Sequence, residues 1–322
     1  MSTKHTNLVV SSAPHVIDAT DTGSIMRDVV IALMPALAWA VYIFGYRALV
    51  LTVVCVAASV IFEGITRKIL GRSQTLDDWS AVVTGVLISL NISVSMPYWM
   101  AIIGCFVAIV VVKQLFGGLG ENFANPAIVG RLVLAIGFTS HMGNWVVTNR
   151  MSLAIRQAAA DAVTGATPLA LLANGQEVPS NLEMFLGLRN GSMGEISALA
   201  LLIGGVYLII RKVITPEIPV SFLATVAILS AVMGFDPVFM LCAGGVMLGA
   251  IFMATDYVTS PITSKGKIIF GIGCGALTMA IRAYGAYPEG VSFAILLMNI
   301  MTPHIDNWTR ARINGVEKGG AK

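Results

Sequence analysis

The sequence has few charged residues. Only 11% of its 322 residues are Asp, Glu, Lys or Arg, whereas 56% are hydrophobic and the mean hydropathy is +0.82. A soluble domain carries about 25% charged residues, so the composition excludes an ordinary soluble globule. The net charge of +3 is small and dispersed, which gives no reason to expect a nucleic-acid partner.

Cysteine is also scarce, and its spacing excludes the common metal sites. Cys55, Cys105, Cys242 and Cys274 lie far apart in apolar segments, with no Cys-x-x-Cys pair. Zinc and iron–sulfur sites need clustered ligands, so we expect four buried thiols and no metal site. The first 24 residues lack a long apolar run, which argues against a cleaved signal peptide.

The sequence instead contains a series of apolar runs, several of which are long enough to cross a bilayer as helices. They predict an all-α polytopic integral membrane protein with about ten transmembrane helices. We place these near residues 27–44, 48–65, 80–95, 98–115, 128–139, 195–210, 220–234, 237–254, 268–283 and 290–302. Helices 1–5 thus fall within residues 25–139 and helices 6–10 within 195–303. A more polar segment, 140–194, separates the two halves, and tails occupy 1–24 and 304–322.

Lysine and arginine collect in alternate loops. They follow predicted helices two, six and ten, precede helix five, and lie between helices eight and nine. Because cytoplasmic loops carry the excess of basic residues, we expect both termini to be cytoplasmic and 140–194 to face outward.

Two sequence similarities indicate an internal duplication. TRKILG at 66–71 resembles IRKVIT at 210–215, and Asn125-Pro126 recurs loosely as Ser260-Pro261. A four-helix offset would make the two halves parallel, because an even number of crossings preserves direction. Chance similarity between apolar segments is an equally good explanation.

The outward segment contains a small polar sequence, DAVTGATPLALL, at 161–172. Thr167 followed by Pro168 is typical of a helix N-cap with proline at the first helical position. The pattern Asp161-x-x-Thr164-Gly-Ala-Thr167 also resembles the flavinylation signal Asp-x-x-(Ser/Thr)-Gly-Ala-Thr, in which the last threonine is joined to FMN by a phosphoester. On that resemblance Thr167 is the acceptor.

The resemblance makes the other motif positions, Asp161, Thr164, Gly165 and Ala166, recognition residues. A threonine hydroxyl is a weak nucleophile that needs a base or a metal ion. No histidine or carboxylate cluster nearby can activate it, so we expect a separate flavin transferase to attach the FMN. An N-capping hydroxyl lies at the positive end of a helix, where phosphate is favoured, so the two interpretations are compatible.

Three further segments extend the resemblance to nearly the whole chain, from about residue 25 to 306. They are KQLFGGLGENFANPAIVGR at 113–131, FMATDYVTSPITSKGK at 252–267 and YPEGVSFAILLMNIMTPHID at 287–306. With the flavinylation motif, they resemble the NqrB/RnfD family of redox-driven membrane subunits. The short tail before the first helix is typical of the RnfD type, whereas NqrB-like chains carry a longer extension.

The resemblance implies a subunit of an Rnf-type complex in a bacterial or archaeal cytoplasmic (inner) membrane. Such a complex passes electrons from ferredoxin to NAD through iron–sulfur and flavin subunits and exports Na⁺ or H⁺. The implied cofactors are covalent FMN on Thr167 and a second, non-covalent flavin (riboflavin or FMN), to which the loop around Asn122 and Asn125 could contribute. The chain would contact membrane lipid and would have no catalytic residues of its own.

Acidic residues near span ends are candidates for an ion path, because a charge in a membrane is costly unless it is paired or hydrated. Glu63, Asp256 and Asp306 lie near the predicted cytoplasmic face, at positions resembling acidic residues of NqrB. They could equally reach interfacial water without a function. We expect Arg131, inside the fifth predicted helix, to pair internally or to contact a flavin phosphate or carbonyl.

Other classes of protein remain open. A solute transporter or channel would show the same helices, with Thr167 serving only as a cap. An NqrB-like quinone reductase subunit would share the flavin motif, and a purely structural subunit could retain an unused motif. Bound flavin separates the redox subunits from the other two classes.

Overall fold

A computed structural model describes residues 21–148, 150, 166–285 and 289–310, and within these ranges the chain is helical without a β-strand. The α-helices are α1 Thr22–Phe44, α2 Tyr46–Ile69, α3 Ser80–Leu90, α4 Tyr98–Phe106, α5 Pro126–Gly137, α6 Thr139–Met142, α7 Pro168–Ala173, α8 Asn181–Leu186, α9 Ala198–Ile210, α10 Glu217–Val232, α11 Pro237–Cys242, α12 Val246–Leu248, α13 Ser264–Tyr284 and α14 Val291–Thr309. Two π-helical segments, Val107–Gln114 and Gly249–Met253, continue α4 and α12.

Each of the ten predicted spans contains a helix. By length and composition, α1, α2 and α13 could each cross a membrane. Shorter apolar helices occupy the third to seventh predicted spans. Most boundaries differ from the prediction by only a few residues, because apolar runs locate a span more sharply than its ends.

The eighth predicted span, 237–254, is not one continuous helix. Two glycines with positive φ, Gly244 (+60°) and Gly245 (+70°), interrupt it between α11 and α12. Arg282 donates hydrogen bonds to the carbonyls of Met240 at 2.7 Å and Ala243 at 2.6 Å. A broken helix is tolerated at membrane depth only when the backbone groups that it frees find other hydrogen-bond partners. The guanidinium of Arg282 is such a partner for these two carbonyls.

The loops fall into two groups at opposite ends of the helices. At one end, Arg72 donates to the carbonyl of Gln114 at 2.8 Å, and the Lys267 Nζ lies 3.0 Å from the Thr215 hydroxyl. At the other end, the Ser93 hydroxyl donates to the Asn144 carbonyl at 2.6 Å. The first group contains the lysine- and arginine-rich loops, so the structure separates the loops as the basic residues predict. Which end is cytoplasmic stays a prediction.

The packing of the helices repeats with an offset of five spans. In the first half α2 packs on α3 and α4, and α4 on α5; in the second half α10 packs on α11 and α13, and α13 on α14. Across the halves α1 packs on α9 and α5 on α14. The offset is therefore not the expected four, and an odd number of crossings reverses the direction of the second half.

Glycines allow the closest helix contacts. A Cβ on Gly204 would lie 2.1 Å from the Ala32 carbonyl oxygen, where α9 crosses α1, and a Cβ on Gly85 would lie 2.7 Å from the Cα of Val56. Small residues at such crossings let backbones approach, which is the usual basis of helix packing in membranes.

Candidate functional site

Thr167 caps the short helix α7. Its side-chain oxygen accepts a hydrogen bond from the amide of Ala170 at 3.3 Å, and Pro168 occupies the first helical turn. The predicted N-cap is therefore confirmed. Ala166 precedes the cap, and its carbonyl accepts a hydrogen bond from Asn190 at 3.2 Å. The remaining motif residues, Asp161, Thr164 and Gly165, lie outside the described residues.

Thr167 lines a cavity of about 300 Å³. The cavity lies between α7, the C-terminal half of α5 and the start of α14, at the end of the helices opposite the basic loops. Most of its wall is apolar, with aromatic side chains from Trp145 and Phe293. The full lining is Arg131, Leu132, Ala135, Thr139, Met142, Gly143, Trp145, Ala166, Thr167, Ala170, Glu289, Gly290, Ser292 and Phe293.

The charged part of this cavity centres on Arg131, which is 4% exposed. Its Nε donates to the Asn91 carbonyl at 3.2 Å, and Nη1 donates to the Ser292 hydroxyl. Its Nη2 forms ion pairs with Glu289 and, at 3.4 Å, with Glu195. Arg131 therefore pairs internally, as the sequence suggests, and also faces the cavity that Thr167 lines.

Two more arginines surround the same carboxylates. Arg189, which is 2% exposed, donates to the backbone carbonyl of Glu195 and, at 3.2 Å, to that of Ile196. Burial lowers the pKa of Arg189, and the nearby charge of Glu195 opposes that shift. Arg282 interacts electrostatically with both Glu195 and Glu289. Arg131 thus forms ion pairs with both carboxylates, whereas Arg189 and Arg282 lie nearby and donate to backbone carbonyls.

Glu63 belongs to a second buried polar cluster, near the basic loops. Both Glu63 and Lys113 are almost fully buried, and Lys113 Nζ lies 2.8 and 2.7 Å from the two Glu63 carboxylate oxygens. Lys113 also donates to the Ser80 hydroxyl at 2.6 Å, and Gln114 donates to Glu63 at 3.0 Å. Glu63 is therefore an ion-paired core residue and does not reach interfacial water.

Lys113 and Ser80 also line a smaller cavity of about 90 Å³, together with Asp256, Asn122 and Asn125. Burial raises the pKa of Asp256, and a hydrogen bond from Thr259 at 3.0 Å opposes the shift. Three of the predicted site residues, Asp256, Asn122 and Asn125, therefore line one cavity. The fourth, Glu63, lies behind it as the ion-pair partner of Lys113.

The two asparagines at this cavity differ in their contacts. Asn125 caps α5, with its side-chain oxygen accepting from Ala127 and Ile128 and its amide donating to the Met253 carbonyl. The Asn122 side-chain oxygen is buried and has no hydrogen-bond partner among the described residues.

Asp306 does not line either of these cavities. It lies in α14 and accepts a hydrogen bond from the Ile262 amide at 3.0 Å. Sequence reasoning did not single out Lys113, Glu195 or Glu289. The available signal for the two glutamates is their position at the outward ends of the sixth and tenth predicted spans.

Comparisons with known proteins agree on one family. The sequence model of the NQR2, RnfD, RnfE family matches residues 9–315. The D-type subunit of the Na(+)-translocating ferredoxin:NAD(+) oxidoreductase complex of Acetobacterium woodii is 51% identical, covering 97% of this chain and 96% of its own length. The D-type subunit of the proton-translocating ferredoxin:NAD(+) oxidoreductase complex of Clostridium ljungdahlii is 42% identical, covering 94% of each chain. A third relative, the D-type subunit of the ion-translocating oxidoreductase complex of Halorhodospira halophila, is 37% identical over 96% of each chain. This chain belongs to the NQR2, RnfD, RnfE family.

Proposed function

We propose that this chain is the D-type subunit of an ion-translocating ferredoxin:NAD⁺ oxidoreductase complex and carries FMN on Thr167 through a phosphoester. The observation that carries the proposal is the position of Thr167: this acceptor residue of the flavinylation motif and the preceding Ala166 line a cavity large enough for a ligand. The relatives named above are subunits of ferredoxin:NAD⁺ oxidoreductase complexes. On this basis the partners are iron–sulfur and flavin subunits, and the chain alone completes no turnover.

The residues around Thr167 fit a flavin. The cavity volume of about 300 Å³ is at the lower end of the roughly 300–1,000 Å³ of ligand sites, which are mostly apolar with a few placed polar groups. Trp145 and Phe293 offer aromatic surface to a planar ring, and Arg131 offers a cation. Thr167 would anchor the phosphate, and the apolar wall would exclude water. When bound, a flavin transfers electrons singly or in pairs.

The ion path belongs to the same proposal, with Na⁺ or H⁺ as the exported ion. Asp256 and the Glu63–Lys113 pair meet at the smaller cavity, where the unpartnered oxygen of Asn122 also lies. A charge in a membrane is costly unless it is paired, so a cation that displaces Lys113 from Glu63 would require Asp256, which lines the same cavity, as the new partner of the ammonium. Asp306 would act at a separate point nearer the basic loops.

The remaining expectations are proposed from family membership. A second flavin, riboflavin or FMN, would be held non-covalently, but the cavity at Asn122 and Asn125 has only about 90 Å³, and ligand sites begin near roughly 300 Å³. We therefore do not assign the second flavin to that cavity. A flavin transferase would load Thr167, and the chain would lie in lipid in the cytoplasmic membrane with its basic loops inside.

Assembly of the whole complex with a Thr167→Val chain tests the proposal. In sealed vesicles, we expect ferredoxin-driven NAD⁺ reduction and the coupled ion gradient to be lost together. Thr215→Val, which changes a threonine beside Lys267 at the other end, is the matched control and should retain both. Full activity of an assembled Thr167→Val complex would reject the redox role and favour a transporter or structural subunit.

A further inference from the structure

The cavity beside Thr167 has a charged inner side, where three arginines and two glutamates lie close together and are largely buried. Arg131, Arg189 and Arg282 carry three positive charges, and Glu195 and Glu289 carry two negative ones. The side chains of Arg131 and Glu195 are 5% and 3% exposed, and that of Glu289 is 24% exposed. These charges therefore lie where water screens them poorly.

Of these groups, Arg131 and Glu289 line the cavity directly. The guanidinium of Arg131 is held by hydrogen bonds to four residues, namely Asn91, Ser292, Glu195 and Glu289. A guanidinium held by neighbours on a rigid helix is preorganised, so it needs no rearrangement when charge appears in front of it.

We propose that Arg131 and Glu289 together set the reduction potential of the flavin at Thr167, Arg131 raising it and Glu289 lowering it. This inference rests on the proposed flavinylation of Thr167. Each electron that a flavin accepts adds one negative charge to its ring, and a proton from solvent can follow. A preorganised cation beside the ring favours that added charge, whereas the neighbouring carboxylate opposes it.

The two positions predict shifts of opposite sign. Arg131→Gln removes the cation, and Glu289→Gln removes the opposing anion while keeping the shape and a hydrogen-bond acceptor for Arg131. If either charge changes the one-electron equilibrium tenfold, the potential moves by about 59 mV. General loosening of the cavity would admit water and move both variants in the same direction, so opposite shifts identify an electrostatic role.

The experiment is a spectroelectrochemical titration of the flavinylated full-length chain in detergent, with attachment at Thr167 verified by mass spectrometry in each sample. The matched control is Arg211→Gln, which neutralises an arginine paired with Asp28 at the other end of the helices. We expect a lower potential for Arg131→Gln, a higher one for Glu289→Gln and no change for the control.

The outcomes separate the inference from the proposed function. Flavinylated variants with unchanged potentials, or shifts of the same sign, would overturn the inference and leave the flavin on Thr167 intact. A wild-type chain that stays unflavinylated in a host whose flavin transferase modifies another substrate would reject the proposed function itself. If Arg131→Gln does not fold because it leaves two buried carboxylates, the more exposed Glu289→Gln decides: an unchanged or lower potential overturns the inference.

Discussion

Lys113→Met should destabilise the folded chain strongly. In the native structure the Lys113 ammonium contacts both oxygens of Glu63 and the Ser80 hydroxyl, and the two charged side chains are 2% and 0% exposed. Methionine preserves the aliphatic stem but leaves the Glu63 carboxylate with only its hydrogen bond from Gln114. Removing one partner of a buried ion pair costs about 3–5 kcal/mol, since an unpaired charge remains in a low-dielectric interior.

A double-mutant cycle isolates this effect. Glu63→Gln removes the charge from the other side, and the double variant has neither charge of this pair, so it should regain much of the stability lost by Lys113→Met. The measurement is the free energy of unfolding of the purified chain in detergent micelles. Lys267→Met is the control, because Lys267 is partly exposed and its ammonium lies 3.0 Å from the Thr215 hydroxyl rather than in a buried ion pair; it should change stability by less than about 0.5 kcal/mol.

Two results of the cycle would contradict a buried ion pair between Lys113 and Glu63. A loss below about 1 kcal/mol for Lys113→Met would indicate that Glu63 is hydrated or protonated in the folded state. Additive single effects would show that the two residues are not coupled.

Three further predictions concern other parts of the chain. Without flavin, Thr167→Ala should cost about 1 kcal/mol because it removes the cap of α7, whereas Thr167→Ser should be nearly neutral; equal losses in thermal unfolding would exclude the cap. Gly204→Val should prevent correct folding, because any Cβ there meets the Ala32 carbonyl at 2.1 Å; a normal gel-filtration profile with wild-type stability would contradict the packing of α1 on α9. A hydrogen bond from Asn181 lowers the pKa of Asp236 in the folded chain. The ionised Asp236 therefore stabilises the folded chain above the unfolded pKa of about 3.9, and this stabilisation is lost as pH falls through the lower pKa of the folded state. The Asp236→Asn variant should therefore lose less stability than the wild-type chain on acidification below pH 4, measured by thermal unfolding. Identical pH profiles of the two proteins would show that the hydrogen bond from Asn181 does not stabilise the ionised Asp236.

Much of the architecture is predictable from the apolar runs. A run of some twenty apolar residues has few alternatives to a membrane helix, and the basic residues sort the loops into two groups, which the packing reproduces. Local rules also suffice for Thr167, where threonine followed by proline predicts the observed cap.

The buried ion pairs are not predictable in the same way. Lys113 lies fifty residues from Glu63, and Arg131 lies 158 residues from Glu289. Such pairs depend on which helices become neighbours, and hydropathy does not determine that. The break at Gly244 and Gly245 is hidden for a similar reason, because the residue that stabilises it, Arg282, belongs to another helix.

The internal repeat shows a further limit of sequence reasoning. Short similarities such as Asn125-Pro126 and Ser260-Pro261 suggest a four-helix offset, whereas the helix contacts repeat every five spans. Apolar segments use few residue types, so short matches between them arise easily by chance. The pattern of helix contacts identifies a repeat more reliably than short sequence matches do, because each helix packs against only a few others.

Peptide mass spectrometry of the purified chain shows whether Thr167 carries a flavin. The chain would be purified from a host that also expresses the flavin transferase, with Thr167→Val prepared in parallel. We expect a peptide containing Thr167 that is heavier by one FMN residue and fluorescent under ultraviolet light, with both properties absent from the variant. An unmodified Thr167 in the wild-type chain, with the transferase active on another substrate in the same cells, would contradict this expectation.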